Sequence, residues 1–497
     1  MFKSFEIVPK MELTSENLGM VYTPGVGASS EKIAQDTDNS WILTNRINSV
    51  AVISENYEKS LKRAIFLKDT LQIDAYPFEL SNKNELKFIV ENLEPSFKAI
   101  DLSQIENIKE IDFNVEIPVL TNQKVDLKDF FGTISRTLFM KKTDAFEGNI
   151  KEKSLQLREY AGGVIEIQLC EEKSKKPIAI LSDGSAILGL GNLGATAAIP
   201  VMEGKSALFK TLGNVDAIPL CVKTQDKNEI IKLAKLLENS FSGINMEDIC
   251  APKCFEIEKT LIKELKIPVF HDDQHGAAIV ILAALLNSCH LARKKLEDIK
   301  IAISGAGAAA QATARLLLKA GVKNIVMSDI DGIVYKGREG NNSALEAISE
   351  ITNSDKIKGT LSDSIKNADV FIGLSAANLV DANMIKSMAK KSIVFALANP
   401  VPEIMPDVAK QAGAFIIGTG RSDFDNQINN SLAFPGLFKG LLKNNISKVT
   451  EEMKVECALA IASCVSDEDL SVDYIIPNAL DVRVSDKICE VLKNFSS

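Results

Sequence analysis

Two pairs of carboxylates near the middle of the chain could hold a metal ion. Glu247-Asp248 and Asp272-Asp273 lie on either side of residues 249–271, and the second pair follows the apolar segment Ile267–Phe270. Hard divalent cations prefer oxygen ligands, and three carboxylates would leave coordination positions open for a substrate. Taken singly, an acidic pair is more often a solvated loop or a helix cap.

Histidine and cysteine residues flank these carboxylates. His271 and His275 have a spacing that could suggest zinc, but no further local set of His or Cys ligands completes such a site. A role at the helix start or in hydrogen bonding is therefore favoured. Cys250 and Cys254 have the same spacing, and we expect both to be core thiols.

Lys205 and Tyr22 are the candidates for proton transfer. Lys205 ends the segment Met202-Glu203-Gly204-Lys205 and has apolar neighbours, so burial could lower its pKa and make it a general base. The opposing interpretation is an ordinary surface lysine. Tyr22 precedes Thr23-Pro24-Gly25 and, taken alone, is more often a packed aromatic residue than an acid.

A glycine-rich turn after the apolar segment Ile299–Ile303 has the context of a dinucleotide site. A strand precedes the turn and an apolar helix follows it, so backbone N–H groups and the helix dipole could hold a pyrophosphate. The residues of this turn are Gly305, Gly307, Ala308 and Ala310. A tight turn without a ligand is the alternative.

The cofactor is predicted to be NAD rather than NADP. Asp329 ends the next predicted strand and could accept hydrogen bonds from the adenine-ribose diol. Asp331 adds a second carboxylate that would repel a 2′-phosphate, and no Arg or Lys stands between Val326 and Val334.

Apolar segments that alternate with helical ones must position these residues. The alternation predicts an α/β fold with a doubly wound parallel sheet in the second half of the chain, and helices beyond Pro435. Ala277–Asn287 is predicted to be a buried helix. The predicted strands of the sheet are Ile299–Ser304, Asn324–Ser328, Asp369–Gly373, Ile393–Leu397 and Ala414–Gly418.

Residues 73–105 resemble residues 215–249. The shared Asp-Ala-x-Pro and Glu-x-Ser-Phe patterns favour a partial duplication over a coincidence of apolar periodicity. The repeat predicts strands over Val50–Ser54 and Ile73–Phe78 and a helix over Asn84–Leu93. Ser103-Gln104 stand where the second copy has Glu247-Asp248.

Composition excludes several classes of function. The 497 residues carry 57 basic and 66 acidic side chains, so the net charge is −9 and no basic surface is expected to bind nucleic acid. The longest apolar run, Ala277–Leu286, is too short for a membrane span, and the first residues contain no apolar signal segment. Eight cysteines without a CxxC pattern are typical of a reducing compartment. We expect a soluble cytoplasmic protein.

Seven collinear segments resemble the malic enzyme family in its shorter bacterial form. They are VYTPGVG, SDGSAILGLGNLGATAAIPVMEGKSALFK, GINMEDICAPKCFEIE, IPVFHDDQHGAAIVILAALLN, GAGAAA, ALANP and NNSLAFPG, within residues 1–48 and 176–440. The resemblance implies a Rossmann-type NAD-binding domain beside an α/β catalytic domain. It also implies oxidative decarboxylation of malate to pyruvate and CO₂ with NAD or NADP and with Mg²⁺ or Mn²⁺.

The resemblance assigns roles to the matched residues. Lys205 would be the base that removes the C2 hydroxyl proton of malate, and Tyr22 the acid that protonates C3 of the enol. The metal ligands would be Glu247, Asp248 and Asp273.

Further residues are implied to contact substrate or nicotinamide. Asp272 would lie beside the metal ligands, and Asn399 in ALANP would contact substrate or cofactor. Asn430 in NNSLAFPG would do the same, with its neighbour Asn429 as an alternative.

The chain departs from the short family pattern between residues 49 and 175. Short members run almost directly from the tyrosine motif to the glycine loop, whereas here the repeat intervenes and leaves open whether Tyr22 and Lys205 meet within one subunit. We divide the chain into the start of the catalytic domain, the insert, the malate and metal domain, the NAD-binding domain and C-terminal helices. Their bounds are 1–48, 49–160, 161–290, 291–435 and 436–497.

Two functional alternatives and the assembly remain open at this point. A malolactic-type enzyme would keep its cofactor and release lactate, and a regulatory relative would have lost catalysis; the intact Lys205, Glu247, Asp248 and Asp273 argue against the latter. We expect a homodimer or larger homo-oligomer in which the insert supplies contacts. An effector-binding module would show the same features.

Overall fold

The computed structural model describes residues 2–105, 108, 111–121, 148–172 and 175–496. The chain divides into two compact units, Met1–Phe270 and His271–Ser497. The strands are β1 Ser4–Pro9, β2 Ser49–Ser54, β3 Asp74–Glu79, β4 Ala99–Asp101, β5 Val119–Leu120, β6 Ile165–Cys170, β7 Ile178–Ser182, β8 Ala217–Cys221, β9 Ile244–Met246, β10 Val269–His271, β11 Lys300–Ser304, β12 Asn324–Asp329, β13 Gly332–Ile333, β14 Val370–Gly373, β15 Ile393–Ala396 and β16 Ile416–Thr419.

Helices connect most of these strands. They are α1 Leu18–Val21, α2 Gly27–Gln35, α3 Ser40–Leu43, α4 Tyr57–Leu71, α5 Leu86–Leu93, α6 Ile150–Ala161, α7 Ala195–Gly213, α8 Lys227–Leu237, α9 Lys253–Glu264, α10 Asp272–Ala292, α11 Ala308–Lys319, α12 Ser343–Ser349, α13 Leu361–Ile365, α14 Ala382–Lys386, α15 Pro406–Gln411, α16 Phe434–Lys443, α17 Glu451–Ala462 and α18 Val482–Val491.

The first unit contains two four-stranded sheets with the same strand order. One sheet has the order β3-β2-β4-β5, and the other has the order β8-β7-β9-β10. We call residues 49–120 repeat 1 and residues 178–270 repeat 2. The strand register also agrees, because Val52 pairs with Pro77 in repeat 1 as Ile180 pairs with Pro219 in repeat 2. The predicted duplication is confirmed at the level of fold.

The repeats also agree in how their first helices begin and end. Both predicted strands of repeat 1 lie within one residue of β2 and β3, and the predicted helix begins at Leu86 after a 3₁₀ turn. Gln72 follows α4 and Asn214 follows α7, each with a left-handed backbone two residues before the matched aspartate. Such a residue stops a helix and turns the chain toward the next strand.

An antiparallel pair of strands completes the described part of the first unit. In this pair β1 lies beside β6, with Ile7 directly opposite Ile167. Both side chains are buried. Each strand comes before one of the repeats in the chain.

The second unit is built on a six-stranded sheet of order β13-β12-β11-β14-β15-β16. The five strands from β12 to β16 in this order pair in parallel, and β13 pairs antiparallel with β12. All five strands predicted for the sheet are present with small shifts of their ends. The doubly wound α/β prediction is therefore confirmed.

The helix α10 confirms and extends the buried helix predicted over Ala277–Asn287. By length and composition it is the one helix of the described ranges that could cross a membrane, but 67% of its apolar window is buried inside the molecule. That burial is typical of a core helix. The predicted C-terminal helices are α16, α17 and α18.

Candidate active site

Lys205 lies in the middle of α7 with none of its side chain exposed. Its ammonium group forms an ion pair with the carboxylate of Glu247, which is also buried. The surface-lysine alternative is therefore wrong. A buried ammonium needs an acceptor, and Glu247 provides it.

The segment after β9 holds Glu247 and Asp248 in place. The Glu247 backbone N–H donates to the carbonyl of Leu181 at 2.9 Å, and the side-chain amide of Asn245 donates to the Glu247 carboxylate at 3.2 Å. Asp248 has a positive φ of 53°, a conformation that is uncommon outside glycine but is enriched for asparagine and aspartate. Its carbonyl accepts a hydrogen bond from the Ala186 N–H at 3.0 Å.

The glycine loop after β7 folds back on itself beside these carboxylates. Gly184 has a positive φ of 66°, and a Cβ there would lie 2.2 Å from the carbonyl oxygen of Gly194. Only glycine fits this position. At the base of the loop, Asp183 accepts hydrogen bonds from Ser185 and pairs with Lys253 at 2.5 Å.

Tyr22 is buried and packs against the residue that precedes Lys205. A Cβ added to Gly204 would lie 3.1 Å from Cδ2 of Tyr22 and 2.5 Å from the carbonyl oxygen of Val21. Gly204 therefore allows the tyrosine segment to approach α7 closely. The structure brings Tyr22 and the lysine-bearing helix together within one chain.

A buried ion pair ties the tyrosine segment to α7. Arg158 Nη1 lies 3.0 Å from Glu203 Oε2, and its Nη2 donates to the carbonyls of Val21 at 3.1 Å and Pro200 at 2.8 Å. Burial raises the pKa of the Glu203 carboxyl, and the Arg158 guanidinium and the Asn45 N–H oppose that rise. Neither Arg158 nor the function of Glu203 was predicted. The role of Glu203 could have been inferred from its position two residues before Lys205 in the Met202–Lys205 segment.

In the second unit, Asp272 lies next to Asn430. The Asn430 side-chain amide donates to the Asp272 carboxylate at 2.6 Å. A Cβ on Gly276 would lie 1.7 Å from Asp272 Oδ1, so this glycine makes room for the carboxylate. Asn429 instead accepts the Ser431 N–H at 2.9 Å. Of these two asparagines, Asn430 is therefore the one whose side chain points toward the Asp272 carboxylate.

Both histidines beside the acidic pair take part in hydrogen bonds, which is the role predicted for them in preference to zinc binding. His271 Nε2 lies 3.2 Å from Asp273 Oδ2, and its Nδ1 lies 2.7 Å from the Gln274 amide. His275 Nδ1 lies 2.9 Å from the ammonium of Lys454. Cys254 is a core thiol as predicted, whereas Cys250 is only partly buried, so the prediction for Cys250 is wrong.

The predicted metal ligands fit a hard divalent cation in kind, since all are carboxylates. Within the ranges that the structure describes, no three or more His, Cys, Asp or Glu side chains are grouped so that they could hold a metal ion. The Lys205 ammonium lies on Glu247 and shows that this carboxylate can accept a positive charge. The set Glu247, Asp248 and Asp273 stays a prediction.

The glycine turn lies between β11 and α11, as predicted for a dinucleotide site. Gly305 has a positive φ of 108°, and a Cβ there would lie 2.4 Å from the Leu374 carbonyl oxygen. Gly307 precedes the first turn of α11, and an added Cβ there would have no neighbour within 4 Å. Ala308 begins the helix and Ala310 is buried in it. The N–H groups of this turn can hold a pyrophosphate.

Asp329 ends β12, but it carries a partner that sequence reasoning missed. Arg338 Nη1 donates to Asp329 Oδ1 at 2.7 Å, and Nη2 contacts the other carboxylate oxygen. Burial raises the pKa of the Asp329 carboxyl, but the hydrogen bonds from Arg338 and the Asp331 N–H, together with the charge of Arg338, hold that pKa below its usual value. The absence of Arg and Lys between Val326 and Val334 therefore does not keep a cation away from Asp329. Arg338 lies outside residues 326–334, and the antiparallel pairing of β13 with β12 brings the chain back toward Asp329.

Asn399 lies in a segment that a buried carboxylate holds in place. Its Oδ1 is buried and has no hydrogen-bond partner among the described residues, as expected for an amide that binds a ligand. Glu403 accepts hydrogen bonds from the N–H groups of Ser375 at 2.9 Å and Ala398 at 3.0 Å. The absence of a side chain on Gly373 makes room for Glu403.

Two family models match most of the residues that form these two units. The model of the malic enzyme N-terminal domain matches residues 150–262, and that of the malic enzyme NAD binding domain matches residues 274–494. The first match contains repeat 2 up to Ile262, whereas repeat 1 and Tyr22 lie outside both matches.

Individual proteins give the same result. The chain is 51% identical to the bifunctional malic/malolactic enzyme of Bacillus subtilis over 316 residues, which are 63% of this chain and 77% of that relative. It is 49% identical to the NAD-dependent malic enzyme of Geobacillus stearothermophilus over 63% of this chain and 66% of that relative. Relatives named NADP-dependent malic enzymes match as well.

Among solved structures, the chain resembles the NAD-dependent malic enzyme from Thermotoga maritima. The TM-score is 0.62 at 46% identity, over 64% of this chain and 84% of that chain. The resemblance in fold therefore accompanies the resemblance in sequence.

Proposed function

The chain belongs to the malic enzyme family, and we propose that it oxidises malate and decarboxylates it to pyruvate and CO₂. The observation that carries this proposal is the contact of the buried Lys205 with Glu247, beside Gly204 and the ring of Tyr22. A base, an acid and a carboxylate thus lie within one part of the first unit. These are the groups that proton transfer at two adjacent carbons requires.

The residues of the chain divide the chemistry between two proton transfers. Lys205 accepts the proton of the C2 hydroxyl group, and Tyr22 donates a proton to C3 of the enol that remains after CO₂ has left. Bound NAD supplies the hydride acceptor, and a bound Mg²⁺ or Mn²⁺ supplies the Lewis acid for the C2 oxygen. Glu247, Asp248 and Asp273 would hold this cation.

The second unit contributes binding groups. The N–H groups of the turn at Gly305 and Gly307 hold the pyrophosphate. The buried amide oxygen of Asn399 and the amide of Asn430, which donates to Asp272, contact the nicotinamide or the substrate.

We propose NAD as the preferred cofactor. Arg338 contacts both oxygens of Asp329, and the Asp331 N–H donates to Oδ1 at 3.0 Å. Oδ2 therefore keeps the acceptor site that a ribose hydroxyl can use. Asp331 is exposed, so solvent screens its repulsion of a 2′-phosphate. We therefore expect Asp331→Lys to narrow the ratio of kcat/KM for NAD over NADP by about fivefold, since an exposed charge contributes up to about 1 kcal/mol. Preference of the native enzyme for NADP would contradict this proposal.

Spectrophotometry with malate and Mn²⁺ tests the proposed reaction. We expect reduced nicotinamide to accumulate together with equimolar pyruvate. Similarity to a bifunctional malic/malolactic enzyme supports a second candidate, in which the cofactor is recycled and lactate is released. Lactate without accumulation of reduced nicotinamide would identify that activity, and no turnover with either cofactor would identify an inactive relative.

A further inference from the structure

We propose that repeat 1 takes the place of a second copy of repeat 2, so that a single chain contains both halves of a paired catalytic domain. Of the two sites that such a pair would have, only the site at Lys205 is catalytic, and Tyr22 of the same chain completes it. The roles of Lys205 and Tyr22 rest on the proposed function; the pairing of the repeats does not.

The hydrogen bonds between the repeats are reciprocal. The Ser96 hydroxyl of repeat 1 donates to the carbonyl of Cys221 at 2.9 Å and accepts its N–H at 2.8 Å. Ser240 of repeat 2, which matches Ser96, accepts the Glu79 N–H at 2.8 Å and donates to its carbonyl at 3.4 Å. Glu79 and Cys221 are themselves the matching last residues of β3 and β8. Contact i–j together with its counterpart j–i is the pattern of a two-fold interface.

The strands that precede the repeats cross over in the same reciprocal way. The N–H of Ile7, which precedes repeat 1, donates to Asp216 of repeat 2 at 2.8 Å. The N–H of Ile167, which precedes repeat 2, donates to Asp74 of repeat 1 at 3.2 Å. The matching lysines Lys210 and Lys68 pair with these two aspartates. Each repeat therefore receives the N-terminal strand of the other.

The crossing explains why Tyr22 reaches the helix that carries Lys205. Tyr22 belongs to the segment that joins β1 to repeat 1, and it packs against α7 of repeat 2. The corresponding segment between β6 and β7 has only residues 171–177, against residues 10–48 between β1 and β2. It is too short to carry a tyrosine to α4. The second site thus lacks its acid because the segment that would supply it is missing.

The catalytic positions of repeat 1 hold other residues. Arg63 and Lys205 both stand eleven residues before their matched aspartates, Asp74 and Asp216. Arg63 donates to Asp101 at 2.8 Å. An arginine stays protonated and cannot act as a base, so this pair serves structure rather than proton transfer.

A cross-strand disulfide tests the pairing without any assay of activity. The N–H groups of Ile7 and Ile167 donate to the aspartates, so these opposed residues form a non-hydrogen-bonded pair, in which Cα atoms lie about 4.5 Å apart. That separation suits a disulfide. We expect the Ile7→Cys/Ile167→Cys double variant to give an oxidised monomer on a denaturing, non-reducing gel, with the 7–167 bridge found by peptide mapping. A covalent dimer, or no bridge at all, would overturn the proposal; each single variant is the control.

Co-expression of Tyr22→Phe and Lys205→Ala chains with different tags tests completion of the site. If both residues act within one chain, protein that carries both tags has no more activity than either variant alone. Recovery of about half the native kcat would show that the site is shared between chains. Loss of activity in both single variants is a separate result that bears on the proposed function, whereas an active native enzyme that yields no doubly tagged species supports completion within one chain.

Discussion

Repeat 1 and repeat 2 share a fold but not a chemistry. Their sheets have the same strand order, and their first helices end at matching left-handed residues. The differences lie beyond the ends of the strands, where two residues join β2 to α4 but a twelve-residue glycine loop joins β7 to α7. Apolar strands maintain the architecture of both repeats, whereas the loops decide which repeat can carry a catalytic site.

Substitutions at the position that follows β9 in repeat 2 and β4 in repeat 1 should show the largest difference in activity between the repeats. Glu247 follows β9, and Ser103 has the matching place after β4 because Asp101 and Asn245 occupy the same register. We expect Glu247→Gln to lower malate oxidation and the decarboxylation of added oxaloacetate on the order of 10³-fold or more, since a metal contributes several kcal/mol to such steps. Asp273→Asn should behave alike, and Ser103→Ala should be neutral. Oxaloacetate decarboxylation that survives in Glu247→Gln would contradict the assignment.

Substitutions at the basic position in the first helix of each repeat should show the next largest difference in activity. We expect Lys205→Ala to lower kcat for malate oxidation by roughly 10²–10⁴-fold, the usual loss on removing a general base. Arg63→Lys keeps a cation beside Asp101, so its kcat should stay within about twofold of native. A comparable loss in both variants would mean that repeat 1 takes part in catalysis.

Removal of either aspartate that accepts a hydrogen bond from a crossing strand should destabilise the fold by a similar amount. Asp74→Ala and Asp216→Ala each leave a backbone N–H without its acceptor, and we expect each to lower the free energy of unfolding by about 1–3 kcal/mol. Asp69→Ala, an exposed position on α4, should change it by less than about 0.5 kcal/mol. Denaturation with urea measures all three. A large effect at only one of the two aspartates would argue against the reciprocal arrangement.

Asp216 adds a dependence on pH to this comparison. Burial raises the pKa of its carboxyl, although Lys210 opposes the rise. Between the unfolded value and this raised value the folded state binds more protons, so this contribution to stability falls as the pH increases through that window. Asp216→Ala should therefore flatten the decline of stability above about pH 4, measured from unfolding curves at successive pH values.

Most of the fold could be predicted because local patterns determine it. The five parallel strands of the second unit and the strands β2 and β3 of repeat 1 follow from apolar runs and their turns, whereas the apolar neighbours of Lys205 left its burial open. These features depend on residues close together in sequence.

The contacts that complete the site could not be predicted in the same way. Arg158 and Glu203 are 45 residues apart, and Arg338 reaches Asp329 only because β13 turns the chain back. Asn430 and Asp272 are 158 residues apart. No periodicity within a single segment indicates such partners, since they are set by how the elements pack.

The central claim is that Tyr22, which precedes repeat 1, serves as the acid for a site whose base is on repeat 2. Exchange of the C3 protons of pyruvate with deuterated water, followed by NMR, tests it most directly because this step requires the acid at C3 but no hydride transfer. We predict that Tyr22→Phe loses this exchange while it retains more of the hydride transfer, and that Lys205→Ala loses the redox step. Unchanged exchange in a folded Tyr22→Phe variant would contradict the claim.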